Sequence, residues 1–280
     1  LKYKRDVLAE ILARQSDLTS EKELEVVTSR PWRYRRNARI AVSTSLEHGL
    51  KLGFRERGSR TVVHCLKCDV LDPSLSDLLP HLTDLIQGLD FKNCISEVEL
   101  LSTGDNVTVT LFIEPKFGAS DRIKLSDFSN SHKVSVYRKS GKITESLGSL
   151  NTEHGYYINN LYFEVSPGSF LQTNHEINSA IVVYVLEVLR PSKKEIIADL
   201  FCGMGNFSLP LAQLAGSVLG VESDRELLIQ ARANAALNAI QNCEFLRGDL
   251  FKCSDFLLAR LTGCEKILLD PPRVGALDFV

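Results

Sequence analysis

Residues 197–210 read Ile-Ala-Asp-Leu-Phe-Cys-Gly-Met-Gly-Asn-Phe-Ser-Leu-Pro. An apolar run ends in a Gly-x-Gly turn at Gly203 and Gly205 and opens into a predicted helix. Glycines at such a turn let the chain bend tightly and bring its backbone close to a ligand. The succession of strand, glycine turn and helix is a shape that holds nucleotides. The dinucleotide fingerprint has a third glycine where this chain has Ser208. The turn alone therefore leaves the nucleotide open, and a purely structural turn competes with a binding one.

The surroundings of this stretch set the fold class. From Asn174 onward, predicted helices alternate with short apolar strands. A helix spans 174–189, "EIIADLF" is a strand, a helix follows Asn206, and "SVLGVE" is a strand. A helix runs over 224–238, "CEFLRGD" is a strand, a helix runs over 250–261, and "KILLDPP" is a strand. Strands alternating with helices imply a parallel α/β sheet with right-handed crossovers. Ligands on such sheets sit at the carboxyl ends of the strands. Phe201 to Asn206, Glu222, Asp249 and Asp270 all fall at those ends.

Upstream the pattern is different. "ARIAVSTS", "TVVHCL", "VELLS", "NVTVTLFIE" and "HKVSVYRK" are short β-branched runs, and turn signals at 103–106 and 139–142 follow some of them. One helix, Pro73 to Gln87 with Asp72 as N-cap, interrupts the series. This region reads as an α+β unit with a mostly antiparallel sheet. Residues 1–14 form an amphipathic helix with Leu1, Leu8, Ile11 and Leu12 on one face. The expected organisation is an N-terminal helix and linker over 1–29, a central α+β domain over 30–160, and a parallel-sheet domain over 161–280.

A chain of 280 residues accommodates two domains, and 44% hydrophobic with 24% charged residues is the balance of a globular protein, not of a disordered or fibrous one. No apolar run approaches the roughly 18 residues that a membrane span needs. Seven cysteines, an odd and scattered set, read as reduced thiols in a cytoplasmic protein rather than as a disulfide framework. The net charge of −2 points to no partner, but its distribution does. Arg30, Arg33, Arg35, Arg36, Arg39, Lys51, Arg55, Arg57 and Arg60 face only Glu47 and Glu56 between positions 30 and 60. Such a patch is the footprint of a polyanion or a solvated arginine-rich surface.

The strand-end residues narrow the chemistry. Glu222, ending the second strand of the parallel set, can accept hydrogen bonds from ribose hydroxyls. With the glycine turn it points to an adenosine-type cofactor, without separating NAD from S-adenosylmethionine. Pro271 and Pro272 stiffen the backbone after Asp270, which holds a carboxylate suited to a planar base or a cationic cofactor, or else caps a stiff turn. Asp249 can reach an adenine amino group or cap the following helix.

"DLFCGMGNFSLPLA", "VLGVE" and "LLDPPRVGA" resemble the S-adenosylmethionine-binding motifs of RumA/TrmA-type RNA 5-methyluridine methyltransferases. "SPGSFLQTNHEIN" resembles the segment leading into that family's catalytic domain. "PWRYRRNARIAV" and "LGFRERGSRTVVHCLKCDVLDPSL" resemble its entry to the central domain and the following hairpin and cysteine. The likeness covers nearly the whole chain, with the motifs in order. It implies a Rossmann-like methyltransferase sheet after an α+β domain. It also implies that Gln172, Phe201, Gly203, Gly205, Asn206, Glu222, Asp249 and Asp270 line the cofactor site, with Gln172 and Asp270 facing the uracil. Arg33, Arg35, Arg36 and Arg39 would contact RNA, and Trp32 and Tyr34 would stack on bases or pack between domains.

By the same resemblance the nucleophilic cysteine lies in a Ser-Cys-Asn-Pro segment beyond Asp-Pro-Pro-Arg, with the base further on. Neither is in this chain, so an inactive fragment of a longer enzyme is expected. Cys202 is expected to pack, not to act as nucleophile. Cys68 matches the fourth ligand of a 4Fe–4S cluster in the RumA-like branch, whose other three cysteines and RNA-binding β-barrel are absent here; alternatively it is an ordinary thiol. The 23S rRNA branch is therefore the preferred reading and the protein a monomer. A tRNA uridine-5 methyltransferase, an inactive RNA-binding protein on the same fold and an NAD-dependent dehydrogenase stand as alternatives.

Overall fold

In the computed structural model, residues 2–15, 26–45, 49–104, 106–113, 118–141, 143–148, 150, 154–169, 171–252 and 254–276 are described. Leu1, Glu47, Asp105, Lys142, Phe170, Cys253 and Val280, which entered the sequence reading, lie outside the described residues.

The chain builds α1 (Lys2–Gln15), β1 (Asn37–Ser45), β2 (Gly49–Arg55), β3 (Val62–His64), α2 (Pro73–Ser76), α3 (Leu79–Gly88), β4 (Glu97–Ser102), β5 (Val107–Phe112), α4 (Ala119–His132), β6 (Val134–Ser140) and β7 (Ile143–Gly148). It continues with β8 (Gly155–Ile158), β9 (Leu161–Glu164), α5 (His175–Leu189), β10 (Ile196–Leu200), α6 (Ser208–Leu214), β11 (Ser217–Glu222), α7 (Arg225–Leu237), β12 (Cys243–Arg247), α8 (Asp255–Leu261) and β13 (Lys266–Leu269).

The first seven strands form one sheet in the order β3-β2-β1-β4-β5-β6-β7. Every pairing is antiparallel except β5 with β6, where α4 makes the crossover. The expected mostly antiparallel α+β unit is therefore present, with two corrections. The predicted helix 73–87 is two helices, because the ring of Pro80 fits only the first turn of a helix, so α3 begins anew at Leu79. Asp72 does cap α2, its carboxylate accepting from the Ser74 N–H at 3.0 Å. The second correction is α4, which the sequence reading missed. It is polar around most of its circumference and buries chiefly Leu125 and Phe128. Leu52, Leu79, Leu82, Ile86, Leu100 and Leu111 share the core between sheet and helices. Each such side chain contributes about 2 kcal/mol on burial. The apolar positions Leu8, Ile11 and Leu12 of α1 are exposed.

The second sheet is parallel, in the order β12-β11-β10-β13. The chain winds outward from β10 through β11 to β12 and then returns to lay β13 on the other side of β10. That reversal makes a topological switch point, and ligands bind in the crevice it opens. The reading of "SVLGVE" coincides with β11, and Asn174 and Asp224 cap α5 and α7 through their side chains. The helix expected over 250–261 is shorter: Ser254 caps it, and only Asp255–Leu261 are helical.

The hairpin of β8 and β9 turns at Asn159 and Asn160, both with positive φ. Its Tyr156, Ile158, Leu161 and Phe163 pack with Leu209, Leu228 and Phe245 of the parallel-sheet layer. A division between residues 160 and 161 would cut through this hairpin. Helix α7 serves as its neighbour strand. Asn234 and Asn238 accept from the N–H groups of Glu164 and Tyr162, while Gln230 and Asn238 donate to the carbonyls of those residues. Side chains four apart on one helix face thus satisfy a strand edge.

Candidate functional site

The registers place four strand ends on one edge. Leu200 of β10 pairs with Val221 of β11 and Leu269 of β13, and Glu222 pairs with Arg247 of β12. Phe201, Glu222, Asp249 and Asp270 therefore line the carboxyl edge, as the sequence placed them.

The glycine turn is clamped to β11. Gly203 and Gly205 have φ of 56° and 92°. Glu222 is 9% exposed. Its Oε2 accepts from the Gly203 N–H at 3.2 Å. Its Oε1 accepts from the Ser223 and Asp224 N–H groups at 2.7 and 2.9 Å. A carboxylate has about four acceptor positions, and Oε2 keeps one of them for a ligand. A Cβ added at Gly203 would meet nothing within 4 Å, so the turn faces open space. Phe201 has φ of 63°, a strained value for an aromatic residue, and its ring lies 5.7 Å from that of Phe251. Strain of this kind, about 1–3 kcal/mol, gathers where ligands bind.

Asp199 is the residue that sequence reasoning passed over. It sits inside β10, fully buried, with the Ser208 hydroxyl donating to Oδ2 at 2.5 Å and Oδ1 without a partner among the described residues. Burial, relieved in part by the Ser208 hydrogen bond and reinforced by the charges of Asp270 and Glu222, pushes its carboxyl up to about 7. Burial also raises Asp270. Three acidic side chains thus converge on one end of the sheet, two of them raised by burial. The signal was available in sequence: a carboxylate within the run Ile-Ile-Ala-Asp-Leu must be compensated when the strand is buried.

The remaining predicted residues divide. The Gln172 side chain is exposed, while its carbonyl accepts from the Arg36 Nε at 3.0 Å. Asn206 exchanges two amide hydrogen bonds with Asn178 of α5, at 2.8 and 3.1 Å, and so positions the turn with both ends of its amide. Asp249 is exposed and caps the short turn to Phe251, not a helix. The Cys202 thiol is buried beside Gly220, and its surroundings push it well above the ordinary thiol range, as expected of a packing residue. Burial raises Cys65, Cys243 and Cys264 as well.

The arginine cluster is not uniform. Arg36 is 6% exposed, and its guanidinium lies 3.9 Å from the centre of the Tyr156 ring. It also meets His175 Nδ1 at 3.1 Å. Arg36 is thus held inside the protein through Nε and Nη1 and is not part of the open arginine surface. Arg39 is shared between Glu97 and Glu99. Arg35 is half-buried and donates to the Asn37 carbonyl. Arg33 is exposed and has positive φ. Trp32 is 59% exposed.

Cys68 and Cys65 lie close enough for their thiols to interact. Among the described residues no group of three or more His, Cys, Asp or Glu side chains could hold a metal ion. Cys68 would be one cluster ligand of four, and the resemblance places the other three outside this chain. No helix among them is long and apolar enough to cross a membrane.

Comparison with known proteins agrees with this geometry. The chain is 36% identical over 282 residues to the 23S rRNA (uracil(1939)-C(5))-methyltransferase RlmD of Shewanella amazonensis and 37% identical over 275 residues to the protein of that name from Cronobacter sakazakii. These matches take in 99% and 98% of this chain but 63% and 62% of the relatives, so the chain spans about three fifths of their length. The structure of the Pyrococcus abyssi tRNA (uracil-54, C5)-methyltransferase, solved with S-adenosyl-L-homocysteine, matches with a TM-score of 0.73 over 99% of this chain and 67% of that one. At 22% identity this is a likeness of fold. The family model for tRNA (Uracil-5-)-methyltransferase matches residues 1–279, and the chain belongs to that family.

Proposed function

We propose that the chain is the cofactor-binding and RNA-contacting part of an enzyme that methylates carbon 5 of uridine in RNA, with 23S rRNA as substrate, S-adenosylmethionine as donor and the cytoplasm as its compartment. The observation that carries this reading is the Glu222 carboxylate bound to the Gly203 N–H at the switch point, with Asp199 and Asp270 beside it. A strand end lined by acidic side chains suits a cofactor that is positively charged at sulfur and at its amino group, and it disfavours the pyrophosphate of NAD. The names of the relatives support the RNA substrate.

The residues present fit the donor: Asp199 Oδ1 is a buried polar atom without a hydrogen-bond partner among the described residues, and the face of Gly203 is open. S-adenosylmethionine supplies an activated methyl group. Glu222 Oε2 takes a ribose hydroxyl while its other contacts keep the turn in shape. Asp270, held by the prolines that follow, and the exposed amide of Gln172 present acceptor and donor groups to the uracil edge. Asn178 fixes Asn206 and with it the entry to α6. The described cysteines whose thiols are raised by burial do not supply the thiolate that addition to carbon 6 requires.

Calorimetric titration tests the reading. S-adenosylmethionine is expected to bind, NADH is not, and Glu222→Gln is expected to weaken binding by about 1–3 kcal/mol, the scale of a hydrogen bond to a charged group. Preference for NADH, or an unchanged affinity in the variant with its melting temperature retained, would refute the site.

A further inference from the structure

A cavity of about 730 Å³ lies away from the strand ends, where the β8–β9 hairpin, the β4–β5 turn and the start of α5 meet the segment before β1. Its size is within the range of about 300–1,000 Å³ of small-molecule sites. Arg30, Tyr34, Arg36, Tyr156, Tyr157 and His175 are among the residues lining it. Two features mark it as built for a ligand.

The first is the state of Arg36. Its guanidinium is stacked on Tyr156 and uses Nε and Nη1, yet Nη2 is buried with no hydrogen-bond partner among the described residues. A buried cationic donor without an acceptor is costly and calls for one from outside the protein. Because a guanidinium only donates, His175 Nδ1 accepts from it, and the histidine proton sits on Nε2 as a further donor.

The second is the distribution of aromatic surface. Tyr157 is 65% exposed, with its ring centre 5.2 Å from that of Tyr162, another lining residue. The exposed ring of Tyr157 and the half-buried rings of Tyr34 and Tyr162 beside arginine are a stacking platform beside an anion contact, which together are what a nucleotide offers to fill. Among the described residues lining the cavity, Asp72 is the one acidic group, and its Oδ1 accepts from Ser74.

We propose that this cavity is a subsite for a splayed-out nucleotide of the RNA strand, separate from the one undergoing methylation, with the base on the Tyr34 and Tyr157 rings and the phosphate on Arg30 and Arg36. The proposal rests on the RNA reading above. It adds a second anchoring point, across the junction between the two sheets, by which the strand is held while the target uridine is presented to the strand ends.

The test uses a fluorescein-labelled single-stranded oligoribonucleotide containing 4-thiouridine, uridine 5′-monophosphate as competitor, and S-adenosylmethionine in parallel. Tyr157→Ala and Arg30→Ala are each expected to weaken oligonucleotide binding about tenfold, the scale of one lost base stack or charged contact, with S-adenosylmethionine affinity unchanged. Photocrosslinking is expected to map to peptides containing Tyr34 or Tyr157, and the mononucleotide is expected to compete only at far higher concentration. Oligonucleotide binding that both variants leave unaltered overturns the subsite while the methyltransferase reading stands. So does a mononucleotide that binds as tightly as the strand, which would make this a site for a free nucleotide. A chain that binds neither oligonucleotide nor S-adenosylmethionine overturns both.

Discussion

Residues 199–208 and residues 30–39 both concentrate polar groups near the junction of the two sheets, but they use them differently. In the first region the partners are close in sequence: Ser208 reaches Asp199 nine positions away, and Gly203 reaches Glu222 nineteen away. In the second they are remote: Arg36 meets Gln172 and His175 across 136 and 139 positions, and Arg30 pairs with Glu176. Backbone chemistry at fixed spacing can be read as a motif. A run of arginines cannot be divided into ligand contacts and internal struts until its distant partners are known. Three experiments press on this contrast.

The largest effect belongs to Asp199. Its carboxyl titrates near 7 in the folded protein, against 3.8 for the ordinary side chain. Between those values the unfolded chain releases its proton while the folded chain keeps it. Asp199 thus contributes stability fully below pH about 4, and that stability is lost as pH rises to about 7. At about 1.4 kcal/mol per pH unit, the loss is on the order of 4 kcal/mol. Urea unfolding from pH 4 to pH 8 should show Asp199→Asn gaining on the parent across this window, because the amide mimics the neutral acid. Parallel curves would mean that the buried carboxyl is not held neutral.

Next is Arg36. Arg36→Met removes a stacked cation and strands the His175 ring nitrogen and the Gln172 carbonyl. A loss of about 3 kcal/mol in unfolding free energy is expected. Arg33→Met, on the exposed surface, should stay within about 0.5 kcal/mol of the parent. If the two variants unfold alike, Arg36 is not a structural tie between the two regions.

The same contrast explains what the sequence disclosed. Strands β10 to β13 were legible because each is a short, mainly apolar run set between helices, and Asn174 and Asp224 announce their helices as caps. Helix α4 was not, because Ile123 is exposed while Asp121 and Ser129 are buried, which breaks any apolar periodicity. The β8–β9 hairpin did carry a signal, an Asn-Asn turn between alternating apolar residues, and went unread. At the site, Glu222 and the glycines stood out through residue type and spacing. Asp199 did not, since its significance lies in its burial with a polar atom unpartnered among the described residues, and the tie of Asn206 to Asn178 was not legible because it depends on how α5 docks.

The smallest effect sharpens the arginine half of the comparison. If RNA is bound, each arginine that neutralises a phosphate adds roughly 0.7 to the slope of log affinity against log salt for a single strand. Arg33 is exposed and makes no side-chain ion pair among the described residues, whereas Arg39 is held 3.4 Å from Glu99 and faces Glu97. Glu99 is mostly buried and raised by that burial, with Arg39 acting against the rise, so the pair is linked inside the sheet surface and less free to turn to a phosphate. Arg33→Gln should therefore flatten the salt slope by about one contact, and Arg39→Gln by less. Exposed charges of this kind alter affinity by under about 1 kcal/mol each, so the slope, measured by anisotropy over a range of salt, is the more decisive reading. Equal slopes for the two variants would mean that the glutamates release Arg39 when RNA arrives. A slope near zero in the parent chain would leave the arginines as a solvated surface and remove the polyanion argument altogether.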